Sequence, residues 1–514
     1  MKPLTIWNPE DPIFWDSQGK KIAWRNLALS VPSLLVSFAV WMAWSVIIVQ
    51  MQNLKYPFTK VELYALPAIA GLAGATLRIP NSFMVALTGG KNAVVLGTAL
   101  LLIPALGIAI ALRNPHVPYE VLAVLAALSG FGGGNFASSM SNISFFFPKR
   151  LQGTALGLNA GIGNLGVSVT QVLIPFVMTF ALFGVVSGTP QPLPIDVGSH
   201  QTGTLIWIQN SGLVWIPVLI ALVVFGAIWM NNLPQHPFGT VISAIGKALW
   251  LNLLGLFAAG GGLFLLLKLK WSMWVSLPLV IVVALGLIRY LSPKPVREGI
   301  RRQFQIFPNK HTWTMTWLYV MTFGSFIGYS AAFPKLIQDV FGTLPGGDIN
   351  PRAPNPFAFA WLGPLVGSLS RPLGGWISDK FGGARVTHWI TIVMIATAIG
   401  VGILVKSARS VSSPESVFMP FLLLFLVLFI TTGIGNGSTF RMIPAIFKPD
   451  QAGPVLGWTS AIGAYGAFLI PQVFGAQIEA RAPELALYGF AFYYFTGLIV
   501  NWWFYSRRNA EIPC

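Results

Sequence analysis

The chain has 514 residues, of which 54% are hydrophobic and only 9% charged, with a formal net charge of +17. A soluble domain carries about 25% charged residues, so this sequence cannot cover a water-facing surface and much of its solvent must be lipid. The positive balance does not point to nucleic acid, because the basic residues sit in short loops between apolar runs. The single cysteine, Cys514, excludes a disulfide framework and a thiolate metal site.

Residues 1–25 mix Glu10, Asp11, Asp16, Lys20, Lys21 and Arg25 with no apolar run, which reads as a cytoplasmic lead-in and not a signal peptide. Spans of about 20 apolar residues then follow at 26–49, 62–86, 92–112, 119–146, 154–185 and 205–230, giving a first bundle over 26–235. Two more, 243–267 and 271–291, fall within 240–295. The last six, 312–338, 356–378, 386–406, 417–444, 453–476 and 486–505, make a second bundle over 310–506, with a tail at 507–514. The expectation is an all-α membrane protein of about fourteen spans. Lys20, Lys21, Arg25, Lys91, Lys149, Arg150, a mid-chain cluster from Lys294 to Lys310, Lys380, Arg385, Lys448, Arg507 and Arg508 share one side if both termini are cytoplasmic.

The two bundles repeat one another. Segment 37–45, SFAVWMAWS, aligns with 322–330, TFGSFIGYS, making Phe38 the partner of Phe323. Arg78 is followed by Gly89-Gly90 and Arg371 by Gly382-Gly383 at the same spacing. Segment 153–166, GTALGLNAGIGNLG, aligns with 453–466, GPVLGWTSAIGAYG. Three matches in one order indicate a duplicated six-helix unit. The copies are offset by 285 to 300 residues, whereas six spans with short loops need about 200 to 230. The surplus is the segment 240–295, an inserted two-helix hairpin expected to pack peripherally.

The sequence offers little chemistry to an enzyme. No carboxylate pair, HExxH, GxSxG or Walker loop is present, so no catalytic residue, metal or cofactor is expected. The fifteen Asp and Glu residues fall in loops or at span ends, as do His116, His200, His236, His311 and His388. Arg78, in GATLRIPNSF, and Arg371, in GSLSRPLGGW, stand alone inside apolar spans. A charge at the bilayer centre costs roughly 2.5–3.5 kcal/mol on insertion scales. Carbonyl-capped structural arginines would be one solution. Repeat-equivalent placement favours another, in which two unpaired guanidinium groups face a central cavity and bind an oxyanion through their planar forks. Phe136, Phe323 and Asn164 add ring faces and a polar group near the same level. Each could equally serve helix packing, Asn164 through a helix–helix hydrogen bond.

GFGGGNFASSMSNISFFFPK followed by GTALGLNAGIGNLGVSVTQ resembles the first signature of the NarK-type nitrate/nitrite porters, and GIGNGSTFRMIPAIF with LGWTSAIGAYGAF resembles the second. SDKFGGAR at 378–385 is similar to the general major-facilitator loop motif, while the first-half copy, ALTGGKNA at 86–93, lacks its Asp. The resemblance covers nearly the whole chain. It implies a major-facilitator fold of two six-helix bundles, alternating access, and central binding of nitrate and nitrite. By this resemblance Arg78 and Arg371 are the substrate arginines, Phe136 and Phe323 the aromatic pair enclosing the anion, and Asn164 and Tyr319 its polar contacts. The hairpin at 240–295 departs from the twelve-helix pattern. The expected protein works as a monomer in a bacterial inner membrane, with nitrate, nitrite and the bilayer as its partners. Nitrate/nitrite exchange is favoured because no mid-span acid neutralises the arginines. Proton-coupled nitrate uptake, another small oxyanion and an anion channel are the alternatives.

Overall fold

The computed structural model describes residues 4–196, 201–234 and 239–514, with only the backbone at 295, 299, 302, 303, 449 and 450. His200 and His236, and the side chains of Arg302 and Asp450, lie outside the described residues. Among the described residues twelve helices are long and apolar enough to cross a membrane. They are α1 (Pro12–Asn53), α2 (Lys60–Asn81), α3 (Gly90–Ala111), α4 (Tyr119–Phe146), α5 (Lys149–Val177), α6 (Asn210–Trp229), α7 (Val241–Leu267) and α8 (Met273–Leu291). A linker helix, α9 (Lys294–Gln303), leads to α10 at 310–341 and α11 (Leu362–Phe381). The remaining spans are α12 (Gly383–Ala408), α13 (Pro414–Ile446), α14 (Gln451–Glu479) and α15 (Pro483–Ser506). Helices α10 and α11 match the others in length but are less apolar, because they carry much of the buried polar inventory.

Several boundaries differ from the sequence expectation. The first helix begins at Pro12, not at 26, with Asp11 capping the Ile13 amide at 2.9 Å. Trp15 and Ala23 are buried on one face of this extension while Asp16, Lys20 and Lys21 face out. Such an amphipathic turn is invisible to a search for continuous apolar runs. Helix α2 starts with a Thr59/Glu62 capping box. It stops at Asn81, one residue after Pro80, and the chain resumes as a short helix, Met84–Thr88. Helix α5 ends at Val177, short of the expected 185. The apolar residues beyond it enter a loop that turns at Gly184 and Gly188, both at positive φ. That loop closes as a two-residue ribbon, Gln191–Pro192 against Leu205–Ile206.

The two bundles face one another with approximate twofold correspondence. Helix α2 packs on α14, α5 on α11, and α1 on α10, so each contact has its repeat-related counterpart. The hairpin α7–α8 packs on the outer face of α2. There the Asn81 Nδ2 donates to Asn252 Oδ1 at 3.2 Å, and Gly255 lets α7 approach Leu77 and Pro80 closely.

Contact between the halves is uneven along the bundle axis. Away from the termini it is tight: Gln338 Nε2 donates to Asn53 Oδ1 at 2.6 Å, Gln171 Nε2 to the Ser330 carbonyl at 2.8 Å, and Ser168 Oγ to the Trp361 carbonyl at 2.9 Å. Toward the termini the repeat-related glycines Gly153, Gly157, Gly453 and Gly457 have no neighbour within 4 Å of where a Cβ would stand. Their partners deeper in the same helices are closely packed, Gly166 on the Leu35 carbonyl and Gly466 on Gly324. A crevice between α2 and α14, lined by Arg78, Ser82, Gly457 and Ala461, therefore lies toward the face that carries both termini, while the opposite face is sealed.

Candidate functional site

Arg78 lies in the last turn of α2 and is 1% exposed. Its Nε donates to the Gly133 carbonyl on α4 at 3.0 Å, and its Nη1 to the Ser460 carbonyl and hydroxyl on α14 at 3.0 and 2.9 Å. One side chain thus ties the two halves at the floor of the α2/α14 crevice. Carbonyl caps offset part of the burial cost, but Nη2 makes no hydrogen bond. The guanidinium carbon stands 4.5 Å from the Phe136 ring centroid and 5.1 Å from that of Phe323, with Trp41 at 5.6 Å. In this state the ring pair expected to enclose an anion flanks the cation that would bind it. Phe323 owes its position to a π-helical turn, Val320–Gly324, inside α10. Such a turn places an extra residue in one helical revolution.

Arg371 lies mid-way along α11 and is 8% exposed. No protein hydrogen bond holds its Nη1. Its guanidinium carbon is 5.4 Å from the Phe440 ring, a looser version of the 4.5 Å contact between Arg78 and Phe136. Tyr319, fully buried in α10, lies close enough to Arg371 and Arg78 to interact with both charges. The charged and polar groups acting on Arg78 include Arg371 and Tyr319 but no carboxylate. Among the described residues neither arginine is in an ion pair.

Neither amide atom of buried Asn164 makes a hydrogen bond, and the Tyr319 hydroxyl faces the Arg371 guanidinium but falls outside regular hydrogen-bond geometry. The helix–helix bond considered for Asn164 is therefore not made. Asn164 sits one turn beyond Ala160 on α5, and a Cβ added at Gly161 of the same stretch would stand 3.8 Å from the Pro372 ring next to Arg371. A buried, unsatisfied amide or hydroxyl costs about 1–3 kcal/mol, and the Tyr319 hydroxyl stands beside two guanidinium groups. Together the guanidinium groups and the Tyr319 hydroxyl form a set of donors beside two aromatic faces. That is chemistry for holding a small planar anion by its edges and faces.

The structure brings Arg78, Phe136 and Phe323 into direct contact and sets Tyr319 beside both arginines. Asn164 hydrogen-bonds to neither arginine. Ser460, Gly133, Trp41 and Phe440 escape a reading of the sequence. The repeat could have found Ser460, which occupies in the second copy the position of Ala160 in the first. That difference makes the two arginines unequal: Arg78 is anchored across the halves, whereas Arg371 meets no serine at the equivalent place in the other half, where Ala160 stands.

No family model matches the chain. It is 39% identical to the probable nitrate/nitrite antiporter NarK2 of Thermus thermophilus, over 99% of this chain and 98% of that one. It is 35% identical to the nitrate/nitrite transporter NarU of Escherichia coli, over 98% and 96%. Its fold is that of the POT family transporter PepTSo (TM-score 0.60, 13% identity, 93% of this chain and 97% of that one). It also matches the xylose transporter XylE in a partially occluded inward-open conformation (TM-score 0.55, 11% identity, 94% and 99%). The chain belongs to the NarK/NarU family of nitrate/nitrite transporters, built on the major-facilitator fold.

Proposed function

We propose that the protein exchanges nitrate for nitrite across a bacterial inner membrane by alternating access, working as a monomer with both termini cytoplasmic. The observation that carries this reading is the pair of buried guanidinium groups with free N–H groups and no carboxylate partner. Arg78 Nη2 and Arg371 Nη1 would hold the oxygens of a planar oxyanion. Tyr319 and Asn164 would complete its hydrogen bonds, and Phe136 and Phe323 would cover its faces once Arg78 shifts from between them. Arginine cannot shed its charge to ease burial. A site emptied of its anion would have to occlude two uncompensated cations on the return journey, which favours obligatory exchange. With the termini cytoplasmic, the α2/α14 crevice would face inward and the hydrogen-bonded face outward.

The test is transport in proteoliposomes of the purified chain. Vesicles loaded with nitrite should take up external nitrate, while empty vesicles should not, with or without an acid exterior. Competition by nitrite but not by phosphate or acetate should accompany it. Uptake into empty vesicles driven by a proton gradient would overturn exchange in favour of symport.

A further inference from the structure

The site's arginines have no acid, but a buried acid lies further along α10 toward the sealed face. Asp339 stands at a helix end, as the sequence indicates, yet its carboxylate is fully enclosed, and so is Lys335 one turn earlier. The Lys335 Nζ hydrogen-bonds Asp339 Oδ2 within α10. The other oxygen, Oδ1, lies 3.2 Å from Nζ of Lys60 on α2, whose side chain is 44% exposed. Tyr64, one turn along α2 from Lys60, has a buried hydroxyl facing the same carboxylate, and its ring is 5.2 Å from the Lys335 Nζ. The cluster therefore spans the two halves, with α2 giving Lys60 and Tyr64 and α10 giving Lys335 and Asp339.

Resting on the alternating-access reading, we infer that Asp339 is the catch of an electrostatic latch that closes the outer face by gripping Lys60 across the bundle interface. Lys335 makes the latch reversible. A carboxylate gripped by Lys60 alone would lose its only counterion as α2 withdrew, before water could reach it, which is strongly unfavourable. Lys335 moves with Asp339 on the same helix and keeps it neutralised, while the ammonium of Lys60, already half in water, is rehydrated at little cost. The interaction lost on opening is therefore confined to the Lys60–Asp339 contact and the Tyr64 hydroxyl. The neutral Gln338–Asn53 hydrogen bond between α10 and α1 lies in the same layer. This pair alone would give closure no electrostatic component.

Accessibility from outside tests this without relying on transport. In a Cys514→Ser background, Ser330→Cys places a thiol on α10 beneath the latch, at a position now fully buried. Its labelling rate by a membrane-impermeant thiol reagent applied to the outer face reports opening. Lys60→Ala should raise that rate at least severalfold, Asp339→Asn should do the same, and the double variant should add nothing further. Because Asp339→Asn leaves Lys335 buried without its partner and can misfold, the Lys335→Met/Asp339→Leu pair removes both buried charges together and should label as fast as Lys60→Ala. Unchanged labelling in Lys60→Ala, or in the folded Lys335→Met/Asp339→Leu pair, would overturn the latch. Labelling reports the gate whether or not nitrate is carried, so failure of the exchange assay leaves this result interpretable.

Discussion

Replacing Arg78 by Lys keeps the positive charge and removes the planar fork, so it separates charge from geometry. The parent side chain does three things at once. It donates from Nε to Gly133, from Nη1 to Ser460, and presents Nη2 toward the site. A lysine has one nitrogen with three tetrahedral hydrogens and cannot reach α4, α14 and an anion together. If it serves the anion, one charge-assisted hydrogen bond of the fork is lost, about 1.5–3 kcal/mol. The stacked contact with Phe136 and Phe323 is also weakened, by roughly 0.5–2 kcal/mol. A combined loss of about 2 kcal/mol or more corresponds to at least thirtyfold in affinity. Calorimetric titration of nitrate into the purified variant measures it, with nitrite-loaded vesicles as the transport check. Arg371→Lys should lose a similar factor in binding. It should melt closer to the parent temperature than Arg78→Lys, because Arg371 Nη1 has no protein hydrogen bond to surrender and only the Tyr319 hydroxyl faces its guanidinium. An Arg78→Lys protein that binds nitrate within about threefold of the parent would refute recognition through a bidentate fork.

Four further outcomes follow from the same geometry. Ser460→Ala leaves Arg78 the Ser460 carbonyl and removes only the hydroxyl contact, so nitrate affinity should fall by about tenfold or less, for roughly 1.4 kcal/mol. A loss equal to that of Arg78→Lys would mean that Ser460 contributes more than anchorage. Gly466→Ala forces a methyl group onto the Gly324 backbone and should destabilise the α10/α14 contact by about 1–3 kcal/mol, read as a lower melting temperature in detergent. Gly457→Leu should leave the melting temperature unchanged, because the position faces open space. It should nevertheless slow exchange, since that crevice has to close in the other state; normal exchange would show that it does not. Phe307→Ala removes an edge-to-face contact with Trp458 at 4.7 Å, worth about 0.5–1.5 kcal/mol. It should make the 294–309 segment easier to cleave in limited proteolysis while nitrate binding stays within twofold.

What the sequence disclosed depended on how rare each residue is in its setting. A lone arginine in an apolar span is expensive, so Arg78 and Arg371 are conspicuous, and their repeat register places them across a common axis. Ser460 and Phe440 are ordinary residues in a chain rich in both types, and only the packing of α14 and α13 against the arginines singles them out. Lys335 and Asp339 were hidden for a different reason. Near a helix end, an i,i+4 pair reads as an interfacial ion pair exposed to water. Its burial is a property of α2 and α10 meeting, which no local pattern contains. The hairpin α7–α8 was visible as surplus length, but not that it would pack on α2, the helix that carries Arg78. Nor was it visible that the linker behind it, through Ile300, Phe304 and Phe307, would line the α2/α14 crevice beside that arginine.

The lower apolarity of α10 and α11 follows from the same division between lipid and interior. A helix that meets lipid all round must be apolar all round, because a polar group there has no partner. Helix α10 is buried over almost its whole length between Ser325 and Phe341, so its serines, Tyr329, Lys335 and Asp339 meet protein and not acyl chains. Helix α11 divides its faces: Leu369, Leu373 and Trp376 are exposed, while Ser368, Ser370 and Arg371 turn inward. The helices that a hydropathy scan rates lowest are thus two of those that carry the site and the latch. Polarity is tolerated where the other bundle supplies the solvation that lipid cannot. The moving interface has to break and remake those contacts on each cycle, so it concentrates the polar residues that the outer helices exclude.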